Sequence, residues 1–183
     1  PKCLMPISGR PLIDYWLINL KACGFTRVFV NTHWHHKVVE NYLLSEDFGL
    51  EIVLMYEPVL LGTAGTIRSL DKFRERDEIL LAHADNFCDI DLIGLNRFHN
   101  CHSASISMVT FETDNPHDCG IVVQDKSNTV IEFHEKVSNP PSNLANAAVY
   151  VIDPLVIDYV NINPSINDFS TQVIPNFISD IKA

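Results

Sequence analysis

Residues 27–84 read RVFVNTHWHHKVVENYLLSEDFGLEIVLMYEPVLLGTAGTIRSLDKFRERDEILLAHA, and their rhythm decides the fold. RVFVNT, at 27–32, is β-branched and aromatic, the composition of a buried strand. Residues 36–44 turn helical, with Val38, Val39, Tyr42 and Leu43 inward. Residues 50–56 return to a strand, and residues 63–70 open a helix after Gly62. EILLAHA, at 78–84, is another apolar strand. Upstream, Leu12, Trp16, Leu17 and Leu20 recur at helical spacing within residues 11–23, and Gly24 is the stop. A βαβαβ order implies an α/β fold: Rossmann-like, three layers (α/β/α), with a mixed, mostly parallel sheet and right-handed crossovers.

Beyond residue 84 the connections shorten. Residues 104–111, 120–124 and 130–134 read as strands. Lys126-Ser127-Asn128 is a turn, so the last two are expected to pair as an antiparallel hairpin. Residues 147–152 form a further strand, and Asp168 is a good N-cap for a final helix through about residue 179. The Pro-rich SNPPS at 138–142 is only a loop. No repeat or linker interrupts the chain, which reads as one domain over residues 1–183.

Composition narrows the function. Apolar residues make up 46% and charged residues 20%, as in ordinary globular proteins. The formal charge of −10 argues against a nucleic-acid partner, which needs a clustered basic face. A small anion could still be held by a few placed cations and backbone N–H groups. No apolar run is long enough to span a bilayer, so no membrane partner is expected. Five cysteines without close pair spacing fit reduced thiols in a cytoplasm.

Four segments could carry chemistry. The stretch Glu57 to Thr66 (EPVLLGTAGT) follows a strand and opens a helix. Its small residues would let a ligand approach the backbone, but by composition alone a plain strand-to-helix turn is the stronger reading. Asp85, in Ala82-His83-Ala84-Asp85-Asn86, ends an apolar strand, where open α/β sheets bind ligands. It is either an Mg²⁺ ligand or an Asx turn. Lys2 lies in a segment whose prolines and apolar residues suggest a fixed loop. Glu135 and Lys136 end another strand, as a surface ion pair or as a grip on a sugar's hydroxyls and a phosphate. The histidine groups His33/His35/His36 and His99/His102 lack zinc-site spacing and read as surface or loop residues.

Taken in order, these segments resemble the sugar-1-phosphate nucleotidyltransferases. PKCLMPISGRPLI is similar to that family's PKPLLPVxGKPLI, EPVLLGTAGTI to ExxLGTAGAL, LLAHADNF to LVxxGD, and FHEKVSNPPSNLANAAVYVIDP to FxEKPxxPxSxxxNAGxYVFxP. LGTAG is typical of the mannose-1-phosphate guanylyltransferase branch. The resemblance runs from Pro1 to about Phe177 and implies the nucleotide-diphospho-sugar transferase fold. It implies an enzyme that transfers a nucleoside monophosphate, GMP from GTP on the branch's pattern, to a sugar-1-phosphate such as mannose-1-phosphate. Pyrophosphate is released.

The resemblance also implies roles. Lys2 matches a phosphate-contacting lysine, Asp85 the Mg²⁺-binding aspartate, and Leu61, Gly62, Thr63, Ala64 and Gly65 the lining of the base and ribose. Gly120 matches a glycine whose backbone faces the sugar. Glu135 and Lys136 match the pair gripping the sugar ring and its phosphate, and Asn146 a sugar-contacting asparagine. With Lys2 and Asp85, Lys136 completes the expected catalytic set.

Departures accompany the match. Ala84 stands for the glycine before the metal aspartate, Ala148 for the glycine of NAG, and Val137 for a proline. The family's GGxGTRLxPLT loop and its WxDxGT segment are not in these 183 residues, so the sequence reads as truncated at both ends. These departures sustain an alternative, a catalytically silent sugar-nucleotide-binding regulator. Asp89-Ile90-Asp91 fits the D-x-D pattern of glycosyltransferases, but Asp85 occupies the strand end, so Asp89 is read as beginning the next element. The exposed Trp34 could support a homo-oligomer.

Overall fold

The computed structural model describes residues 1–70 and 77–183. They group into two compact units, Pro1–Leu60 with His83–Ile93, and Leu61–Ala82 with Gly94–Ala183.

The first unit begins with a 3₁₀ turn, Lys2–Leu4, and a two-strand ribbon, β1 (Pro6–Ile7) and β2 (Arg10–Pro11). Helix α1 (Leu12–Ala22) follows, then β3 (Arg27–Thr32), α2 (His36–Ser45) and β4 (Glu51–Tyr56). β3 and β4 pair in parallel from Arg27 opposite Glu51 to Thr32 opposite Tyr56. Parallel strands need a crossover, and α2 supplies it. Ile13 and Leu17 of α1 and Val39 and Leu43 of α2, each an i,i+4 pair, are buried against Val28, Val30, Ile52 and Leu54. Each such side chain contributes about 1.5–3 kcal/mol by leaving water.

The second unit opens with α3 (Gly62–Ser69) and β5 (Ile79–Ala82), then α4 (Leu92–Asn100) and β6 (Ile106–Glu112). The bounds of α4 straddle the division between the units. β7 (Gly120–Gln124) and β8 (Val130–Glu135) form the expected antiparallel hairpin, with Asn128 at φ 62° in its turn. β9 (Leu144–Ile152), α5 (Pro154–Ile162), a π-helical turn (Phe169–Val173), α6 (Ile174–Phe177) and β10 (Ile181–Lys182) complete it. The sheet order is β10-β6-β9-β7-β8, with β5 also on β9. Its core joins Ile106, Tyr150 and Ile152 of the sheet to Ala64 and Ile67 of α3, Val160 of α5, Phe169 and Ile174.

The α/β class and the mixed sheet agree with the sequence reading. The parallel share is smaller than the opening rhythm suggests: among the described residues it comprises β3–β4 and β6–β10. The pairs β5–β9, β6–β9, β7–β8 and β7–β9 are antiparallel. The cause lies after residue 104, where short connections replace helical crossovers. Asp168 does cap a helical segment, accepting from Thr171 N at 2.7 Å. That segment starts as a π turn and ends at Phe177. Helix α5 escaped the reading because it is apolar nearly all round, although Asp153-Pro154 is a standard start signal. Among the described residues, no helix is long and apolar enough to cross a membrane.

Candidate functional site

Lys2 and Asp85 meet in the first unit. Lys2 rides on the 3₁₀ turn, which is closed by Leu4 N donating to Pro1 O and Met5 N to Lys2 O, each at 3.0 Å. Its neighbours Cys3 and Leu4 pack on the unit's core, which anchors the backbone while leaving the ammonium outside. Asp85 lies in the turn 83–86, where Asn86 N donates to His83 O at 3.1 Å. Trp16 Nε1 donates to Asn86 O at 2.8 Å, tying this turn to α1. Lys2 Nζ donates to Asp85 Oδ2 at 3.2 Å, with side chains 63% and 45% exposed. An ion pair so open to water adds little stability. What it leaves is a cation and a carboxylate displayed together. Burial pushes the Cys3 thiol up, so beside them stands a thiol rather than a thiolate nucleophile.

The second unit holds the other candidates. Gly62 opens α3 at φ +76°, and a Cβ there would come within 2.3 Å of Asn167 O. Ala64 N donates to that same oxygen at 2.9 Å, and Thr63 Oγ1 accepts from Phe169 N at 2.7 Å. The segment 61–65 is thus held by residues 167–169, which the sequence reading missed. Arg68 holds the other side, donating to the carbonyls of Val160, Asn163 and Ile166.

Gly120, Glu135 and Asn146 share a cross-strand row. Gly120 faces Glu135 across β7–β8, and Ile121 faces Ala145 across β7–β9, which sets Asn146 beside Gly120. A Cβ on Gly120 would lie 2.8 Å from Glu135 Oε2 and from the Phe133 ring, so glycine here makes room for those two side chains. Lys136 sits just past β8 at φ 49°, held by its N–H donating to Cys119 O at 3.2 Å. Strained backbone at a residue without the freedom of glycine is a feature of functional sites. Asn146 is tightly oriented: Nδ2 donates to Tyr150 OH at 2.6 Å, and Oδ1 accepts from Ala148 N at 2.9 Å. Tyr150 is 1% exposed and packs on Phe169. Burial raises its pKa, against bonds to Asn146 and Ser170. Tyr150 therefore links the row on the sheet to the 167–170 segment that holds α3. In the sequence it stands only as the tyrosine of the NAGxYV-like stretch, with no role assigned to it.

The histidines divide. His33 bonds Glu57 O at 2.7 Å, His35 sits at φ 53° before α2, and His36 pairs with Glu40 at 3.1 Å, all loop or surface roles as expected. His99 departs from that expectation: it is only 4% exposed and bonds Ser107 and Asp153. The end of α4 packs down on the sheet, and the histidine goes with it.

Comparison with known proteins identifies the family of the chain. A family model described as nucleotidyl transferase matches residues 1–183. A mannose-1-phosphate guanyltransferase of Candida albicans is 29% identical over 171 residues, 90% of this chain and 47% of its own length. A mannose-1-phosphate guanylyltransferase of Mycobacterium tuberculosis is 27% identical over 181 residues, 98% of this chain and 50% of its own. The chain thus spans about half the length of these relatives. In fold it is similar to HddC of Yersinia pseudotuberculosis, with a TM-score of 0.83 at 19% identity, covering 100% of this chain and 80% of that one. HddC has also been solved complexed with GMP-PN, with the same TM-score of 0.83. The chain belongs to the nucleotidyl transferase family.

Proposed function

We propose that the protein transfers a nucleoside monophosphate from a nucleoside triphosphate to a sugar-1-phosphate, releasing pyrophosphate and forming a nucleoside-diphosphate sugar. GTP and mannose-1-phosphate are the substrates we favour, because the relatives above carry that activity in their names and LGTAG is present at 61–65. The observation that carries the reading is the Lys2–Asp85 contact. Residues 83 positions apart bring an ammonium and a carboxylate together at 3.2 Å on an exposed surface. A phosphate and a divalent cation are the chemistry those two groups suit.

In the reaction, an oxygen of the sugar-1-phosphate attacks the α-phosphorus in line. The bond from that phosphorus to the bridging oxygen breaks, and pyrophosphate leaves with the electron pair. No covalent enzyme intermediate is needed, and positioning with charge neutralisation supplies the catalysis. Lys2 offsets phosphate charge on the nucleotide. Residues 61–65 line base and ribose, and the bonds to Asn167 and Phe169 keep that segment in one shape. Glu135 accepts from sugar hydroxyls, Lys136 donates to the sugar's phosphate, and Gly120 and the oriented amide of Asn146 complete the sugar side. Asp85 suits Mg²⁺, which keeps several waters and takes one or two carboxylates along with substrate phosphates. When bound, that ion supplies further neutralisation of phosphate charge. Reduced thiols fit a cytoplasmic enzyme, and Trp34, 77% exposed, is the side chain we would place at a homo-oligomer contact.

Asp85→Asn tests the assignment. It keeps the side chain's shape and removes the charge. Pyrophosphate release from GTP and mannose-1-phosphate, measured on the full-length enzyme with Mg²⁺, should fall at least about 100-fold, the upper end of losses seen when groups around a metal are altered. Near-normal turnover would remove Asp85 from the chemistry.

A further inference from the structure

We propose that Glu78, His99 and Asp153, in the second unit, bind a divalent transition-metal ion of the Zn²⁺ class. One donor atom from each lies within 4.8 Å of the others. His99 Nε2 is 3.0 Å from Asp153 Oδ1 and 4.0 Å from Glu78 Oε1. The imidazole is buried, while the two carboxylate side chains are 43% and 32% exposed, so an ion could enter from solvent. An imidazole nitrogen beside two carboxylates selects zinc-like ions over the Mg²⁺ suited to Asp85. Three protein ligands leave a further position for water.

The surroundings support the site independently of that spacing. Asp153 is the N-cap of α5, where an aspartate ordinarily accepts from the helix's own N–H groups. Its side chain makes no such bond and is turned to His99 instead. His99 is also fixed from behind. Its Nδ1 lies 2.8 Å from Ser107 Oγ, which is wholly buried and lies 3.0 Å from His102 Nε2. Ala104 N donates to His102 Nδ1 at 3.2 Å.

These contacts fix the protons when no metal is bound. His102 Nδ1 accepts, so His102 Nε2–H donates to Ser107. The serine hydroxyl then donates to His99 Nδ1, and the His99 proton lies on Nε2, facing both carboxylates. A metal ion takes that proton's place. Nε2 loses its proton and offers its lone pair, Nδ1 gains one, and the ring stays neutral. Nδ1–H then donates to Ser107 Oγ, the kind of second partner that orients metal-bound histidines. The serine hydroxyl gives up its bond to His99 in the exchange.

The experiment uses the full-length protein and ZnCl₂, with no substrate. Calorimetry should show saturable uptake of one ion per chain. Long-range ¹⁵N spectra should show His99 switching from an Nε2-protonated to an Nδ1-protonated ring as Zn²⁺ saturates. Glu78→Gln, an exposed change that spares the fold, should weaken affinity at least about tenfold. Asp85→Asn should leave Zn²⁺ affinity unchanged, which separates this site from the one assigned to the reaction. Absence of saturable uptake overturns the proposal. So does uptake that ignores Glu78→Gln, which would point to the cysteines, or a His99 ring that never changes tautomer.

Discussion

Gly62 shows how much one residue can decide here. It begins α3 at φ +76°, and the space its missing Cβ would fill is occupied by Asn167 O at 2.3 Å. A left-handed backbone costs a non-glycine residue roughly 1–2 kcal/mol, and forced overpacking adds about 1–3. Gly62→Ala should therefore destabilise by about 3 kcal/mol, read from its urea midpoint. A loss below about 0.5 kcal/mol would mean that the 167–169 segment yields freely and does not hold α3. His102 gives a second test, one of sign. Burial lowers its pKa from 6.5, the nearby His99 and the Lys182 ammonium lower it further, and Asp153 and Asp180 oppose them. The unfolded chain takes up this proton at a higher pH than the folded one does. The contribution to stability is thus complete above pH 6.5 and is lost as pH falls below it towards the folded-state value. His102→Gln should flatten the slope of stability against pH in that window. Parallel curves for the two proteins would show that burial does not govern His102.

Among the elements, β9 carries the most structure per residue. It pairs with β5, β6 and β7, and its ladder with β6 shifts register between Met108 opposite Tyr150 and Thr110 opposite Asn146. The slack is taken up at Ala148, whose φ of 55° is unfavourable for alanine, and Asn146 Oδ1 closes the bend on Ala148 N. Ala148→Gly removes the backbone strain of roughly 1–2 kcal/mol but adds about 0.4–1 kcal/mol of unfolded-chain entropy. The net expectation is a gain of about 0.5–1 kcal/mol in thermal or chemical unfolding. A loss would mean that the alanine methyl, which packs on the core, outweighs the strain. This element also shows what a sequence can reveal. Periodicity marks residues 147–152 as a strand and 27–56 as βαβ, because period 2 and period 3.6 are local properties. It cannot show that β9 reaches back to Leu144, that a bulge turns Asn146, or that Tyr150 binds it, since these depend on register with other strands. The candidate residues were legible as motifs. Their support, Asn167 and Phe169, was not, because its hydrogen bonds to Ala64 and Thr63 span about a hundred positions.

At the scale of the whole molecule, charge opposes the proposed substrates. The chain carries a formal −10, yet the proposed reading brings phosphates to Lys2 and Lys136. Long-range field and local contact therefore act with opposite sign. At about 0.01 M salt the Debye length is roughly 30 Å, and an approaching nucleotide is repelled by the summed negative charge; at about 0.15 M it is roughly 8 Å, and the nearby lysines dominate. Screening should remove the repulsion sooner than it weakens contacts made within a few ångströms. The kcat/KM for GTP, at fixed Mg²⁺ and with KCl raised from about 0.01 to 0.15 M, should accordingly stay level or rise. A protein that relies on a broad basic face behaves oppositely, its affinity falling steeply on a log–log plot against salt. A fall approaching tenfold over that range would show that the phosphates are drawn in by a positive field, and that two placed ammonium groups are too few to explain binding.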